Sequence, residues 1–110
     1  LNRADAVNIV NQFRQTSGSG TLVESGDLDA IAQNLAAQYA KSGITLNRPQ
    51  GVVEIRSSAG YATFAETFSG WRNSAADAKS LNAPSATQVG IGVFYSENTP
   101  YGTYWVILLG

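Results

Sequence analysis

The sequence predicts an α+β fold, a three-layer α-β-α sandwich around a small, mostly antiparallel sheet. Three observations predict it. Helical and strand patterns alternate in the order helix, helix, strand, helix, helix, strand, strand. From Val89 onward the apolar period switches from helical to alternating. The last stretch, Tyr101 to Leu109, is apolar on both faces, as in a strand covered from two sides, and helical layers above and below would meet that demand.

Each element has a local cause. Asn2 is a plausible N-cap, with Asp5 placed for the helix dipole. Ala6, Ile9, Val10 and Phe13 then form a buried helical stripe, which Ser17-Gly18-Ser19-Gly20 ends. Asp27 opens a second helix whose inner face is Leu28, Ile31, Ala32, Leu35 and Tyr39, stopped by Gly43. Four alanines between 30 and 37 allow a neighbour to pack closely. A loop with Pro49 and Gly51 leads to a short strand at Val52, Val53 and Ile55, with Glu54 among them. Thr63-x-x-Glu66 is a capping box opening a third helix with Phe64, Phe68 and Trp71 on its apolar face. Ser74-x-x-Asp77 has the same form and opens a shorter fourth helix, ending near Leu81 ahead of Pro84. Val89, Ile91, Val93 and Tyr95 mark a strand, and Gly90 and Gly92 would let another element approach one face closely. Glu97 to Pro100 is turn material, so the last two strands pair as a hairpin.

Composition narrows the function classes. The 110 residues suit a single domain spanning 1–110. Hydrophobic residues make up 44% and charged residues 14%, the balance of a compact globule. Seven basic and eight acidic residues are scattered singly, with no basic stripe for nucleic acid. No apolar run approaches the ~20 residues that span a bilayer. Cysteine and histidine are absent, which removes disulfides, thiolate nucleophiles, the usual general base and the commonest metal ligand. Methionine is absent too, and a start at Leu1 reads as a processed segment.

With these elements in place the chain resembles the CAP superfamily, the domain of cysteine-rich secretory and pathogenesis-related proteins and their bacterial relatives. LNRADAVNIVNQFRQ resembles that family's opening helix. Leu28, Ala32, Ala36 and Ala40 keep the four-residue spacing of its second helix. VGIGVFYSENTPYGTYWVILLG resembles its closing V-G-x-G and Tyr-Trp strands. The family's Gly-Glu-Asn stretch falls on Val53-Glu54-Ile55, and its Trp followed by Ser-Pro-x-His-Arg falls on Trp71 and Ser74 to Ala78. The resemblance implies export, to an extracellular or periplasmic location, and a bacterial source. It also implies a central cavity, which in many members holds two histidines and two acids and in some binds a divalent metal. Here Asp77 takes one histidine position, and the other lies near Asn47 with no strong substitute. Glu54 matches one acidic position and Glu66 the other. The family's zinc chemistry is thereby excluded, and no metal or cofactor is expected.

Each candidate also has a plainer role. Asp77 and Glu66 each complete a capping box, or else face the cavity. Glu54 either points to solvent by strand alternation or points inward as a cavity acid or base. Tyr39, Trp71 and Tyr104 are core or cavity walls, or line a groove for an apolar or sugar ligand. The leading expectation is a non-catalytic exported domain binding a small apolar or glycan-type ligand, or a protein partner, in a degenerate metal-free cavity. The alternatives are a carboxylate-only hydrolase of cell-wall sugar or peptide, using Glu54 or Glu66, and a structural module of a longer exported protein.

Overall fold

A computed structural model describes all 110 residues. It contains α1 (Arg3–Thr16), β1 (Val23–Glu24), α2 (Gly26–Ser42), β2 (Glu54–Ala59), α3 (Phe64–Arg72), α4 (Ala75–Leu81), β3 (Gln88–Tyr95) and β4 (Thr103–Leu109). The sheet runs in the order β1-β3-β4-β2; the β1–β3 pair is parallel and the other two pairs are antiparallel. The three layers are α2, the sheet, and α1 with α3 and α4.

Central β4 explains why both faces need cover. Trp105, Ile107 and Leu109 point into one core with Val10, Phe64, Phe68 and Trp71. Val106 and Leu108 point into the other, against Ala32 and Ala36 of α2. Strand alternation thus divides one continuous apolar run between two cores.

The helices start as local chemistry demands. The Asn2 side chain accepts from the Asp5 amide at 3.1 Å. For α2 the cap is Ser25, which accepts from the Leu28 amide at 3.2 Å, so Asp27 lies in the first turn instead of opening the helix. Gly43 closes α2 in the left-handed conformation at φ 71°, where a side chain would be strained. Thr63 caps α3 through the Glu66 amide at 3.2 Å.

Three further sequence expectations shift, and one strand is added. Ile31 is 41% exposed and lies off the inner face of α2, which is carried by Ala32, Ala36 and Ala40. The second strand runs over Glu54–Ala59, later and more polar than Val52 to Ile55, because it is an edge strand whose residues are all half-buried. The last strand begins at Thr103, and Tyr101 stays exposed in the turn. The two-residue β1 has no sequence signature; pairing holds it, with the Val23 amide donating to Thr87 at 3.0 Å and the Ser25 amide to Val89 at 2.9 Å.

Candidate functional site

The residues predicted for one cavity are distributed over both faces of the sheet. Trp71 and Asp77 meet in a small polar pocket of about 220 Å³ between β2, α3 and α4, with Ser57, Tyr61 and Thr67. The Trp71 indole N–H donates to the Ser57 carbonyl at 3.2 Å, which orients the ring against β2. The Thr67 hydroxyl is buried and unpartnered in the same region.

Asp77 sits in the first turn of α4, yet Ser74 makes no side-chain cap there. The Asp77 carboxylate instead lies 2.8 Å from Arg56 Nε, an ion pair without the alignment of a hydrogen bond. Arg56 also donates to the Ser80 hydroxyl and reaches the Ala76 carbonyl at 3.5 Å. One guanidinium therefore ties edge strand β2 to α4. Arg56 is a contact that sequence reading missed, because its partners lie twenty or more residues away.

Glu54 begins β2 opposite Leu109, half-buried, on the sheet face that also carries Arg56 two residues on. It lines none of the clefts. Glu66 is exposed at the start of α3, where its Oε1 accepts from the Thr63 hydroxyl at 2.9 Å. That hydrogen bond and the Thr63 cap form a local pair at the helix start. Tyr39 and Tyr104 lie on the other side of the sheet, edge to face with centroids 5.0 Å apart. Burial, with Tyr104 and Tyr101 adding to it, holds the Tyr39 phenol above its ordinary range.

This donor set does not fit the divalent metal that the resemblance attaches to the fold. Asp77 is engaged by a cationic side chain, Glu66 by Thr63, and Asn47 is exposed in a loop. No three acidic residues converge anywhere in the chain.

A larger concavity lies on the same side of the sheet. It is a groove of about 530 Å³ between the start of α1, the start of α3 and the β3–β4 hairpin. Ile9, Phe64, Val93, Tyr95 and Trp105 supply a mainly apolar wall, and Asn2, Asp5, Thr63 and Thr103 a polar margin. Tyr95 remains 67% exposed. The sequence signal for this groove is the alternation of β3 and β4. It puts Val93 and Tyr95, and across from them Trp105 and Thr103, on one face.

The sequence model of the cysteine-rich secretory protein family, CAP, matches residues 7–109. No curated protein matches the chain in sequence. An outer surface protein of Borrelia burgdorferi superposes with a TM-score of 0.69 at 15% identity, covering 100% of this chain and 95% of that one. The protein MpPR-1i superposes at 0.76 with 21% identity over 97% and 88% of the two chains. An extracellular SCP-domain protein of Bacillus anthracis superposes at 0.74 with 12% identity; it covers 96% of this chain, which spans 39% of that longer protein.

Proposed function

The chain belongs to the CAP, or cysteine-rich secretory protein, family, and from that premise we propose that it is a non-catalytic exported domain that binds a small apolar ligand. The observation that carries the proposal is the groove of about 530 Å³ walled by Ile9, Phe64, Val93, Tyr95 and Trp105. It has the makeup of a small-molecule site, a mostly apolar concavity with a few polar groups at its margin. Export is in keeping with the outer-surface and extracellular neighbours of the fold.

Several features favour binding over hydrolysis. General acid–base work by two carboxylates needs both groups to face one reacting bond. Glu54 and Glu66 share no cleft, and Asp77 is held by Arg56. No histidine is present to activate a hydroxyl nucleophile.

Decanol, a neutral alkyl probe, tests the reading. Saturable quenching or enhancement of tryptophan fluorescence is expected, with a rise in melting temperature because the probe binds only the folded state. Ile9→Lys, which brings a charge into the wall, should abolish both effects while leaving the fold intact by circular dichroism. A melting temperature unmoved by decanol, or binding that survives Ile9→Lys, would remove the groove as the site.

A further inference from the structure

Where α2 lies along the outer edge of β3, side chains close the edge for two steps and then stop. Asp29 Oδ1 accepts the Ile91 amide at 2.9 Å, and Arg3 Nε donates to the Ile91 carbonyl at 2.9 Å. One helical turn on, Gln33 serves Val93 with both ends of its amide. Oε1 accepts the Val93 N–H at 3.1 Å, and Nε2 donates to the Val93 carbonyl at 2.6 Å. The next residue in that four-residue row is Ala37, whose methyl group offers no hydrogen bond to the strand.

There the seam opens into a cleft of about 480 Å³. Asn34, Gln38 and Lys41 of α2 face Phe94, Ser96 and Thr99 of the hairpin across it. Asn34 and Gln38 make no side-chain hydrogen bond within the protein, in contrast to the preceding Gln33. Neither of the two ion pairs of the fold involves Lys41, so its ammonium is free. Phe94 is 37% exposed beside these polar groups.

We infer that this cleft is a binding site for an acidic sugar, a pyranose ring carrying a carboxylate. Each part of the lining answers one part of that ligand. The hydrocarbon face of a pyranose packs on an aromatic ring such as Phe94. Each free amide offers two donors and an acceptor, the complement of neighbouring ring hydroxyls. The Lys41 ammonium pairs with the carboxylate. A purely apolar ligand would bury the two amides without partners, which costs free energy. A phosphate is disfavoured as well, since its charge of about −2 would meet a single cation, Lys41, which matches the single charge of a carboxylate. The cleft is on the opposite side of the sheet from the apolar groove, because Phe94 and Tyr95 alternate, so it stands independently of that reading.

The test is an NMR titration of ¹⁵N-labelled protein with D-glucuronate, D-glucose and acetate. Glucuronate should shift the side-chain amide signals of Asn34 and Gln38 and the backbone signals around Phe94, saturably. It should bind about fivefold more tightly than glucose, the size of an exposed ion pair. Lys41→Met should remove that advantage and leave glucose binding unchanged; Gln38→Ala should weaken both sugars. Both positions are exposed helical sites where the substitutions leave the fold intact. Equal shifts from acetate alone would overturn the proposal, since they would report an anion effect at Lys41 and no sugar recognition. So would an absence of shifts with both sugars at the highest concentrations they allow.

Discussion

Arg14 is among the largest fully buried side chains of the protein, and no carboxylate meets it. Its Nε donates to the Gly20 carbonyl at 2.7 Å, and one Nη donates to Leu81 at 2.8 Å and Ala83 at 3.2 Å. Burial pushes the guanidinium below its ordinary range. The fork thus satisfies three carbonyls, from the loop after α1 and from the end of α4. Arg14→Met should cost about 3 kcal/mol in urea unfolding, because those carbonyls lose their donors inside the core. Arg14→Lys should recover little, since a point ammonium does not reproduce the planar fork. Glu24 shows the opposite sign of electrostatics. A hydrogen bond with Asp29, with partial desolvation and the Asp29 charge adding to it, raises the exposed Glu24 carboxyl above its ordinary range, against Arg3. A raised carboxyl means that the folded chain binds its proton more tightly than the unfolded chain does. Its stabilising contribution is therefore full at acid pH and lost as pH rises through the folded value. Glu24→Gln should raise the melting temperature at neutral pH, and the gain should vanish below the carboxylate range.

At the scale of elements, the contact of α2 with β3 depends on two missing side chains. A Cβ at Gly90 would lie 2.2 Å from the backbone of Leu28, and one at Gly92 would lie 2.3 Å from that of Ala32. The helix therefore packs backbone to backbone, with Ala32 and Ala36 meeting the strands without long side chains between. Gly92→Ala should cost about 3 kcal/mol, as overpacking forces α2 away from the sheet. Gly26→Ala, in the first turn of α2 with open space around it, should do the reverse. It should gain several tenths of a kcal/mol from helix propensity. Chemical denaturation of the two variants reads both signs in one experiment. On the far edge, Arg56 joins β2 to α4 through Asp77 and Ser80, so that edge strand is anchored by polar contacts where the centre is anchored by apolar ones.

Across the whole molecule, β4 is the common member of both cores, with Tyr104 to Leu109 all buried. β2 and the two-residue β1 are the edges. Amides paired between β3 and β4 should exchange with solvent last, close to the global unfolding free energy, and those of β1 first. Hydrogen exchange read by NMR checks the order; equal protection across the sheet would contradict it. What the sequence by itself determined is the set of strong local elements. These are the Asn2 and Thr63 caps, the Phe64, Phe68 and Trp71 face, the Gly43 stop, the alternation of β3 and β4, and hence the sandwich. Capping and periodicity act within a few residues, so they can be read along the chain. The tertiary structure alone decided the rest. It placed Tyr39 and Tyr104 opposite Trp71 and Asp77, gave Asp77 to Arg56, buried Arg14, paired β1 and opened the two clefts. Those outcomes depend on groups twenty to ninety residues apart meeting in space, and a side chain's local pattern carries no record of the distant partner that satisfies it.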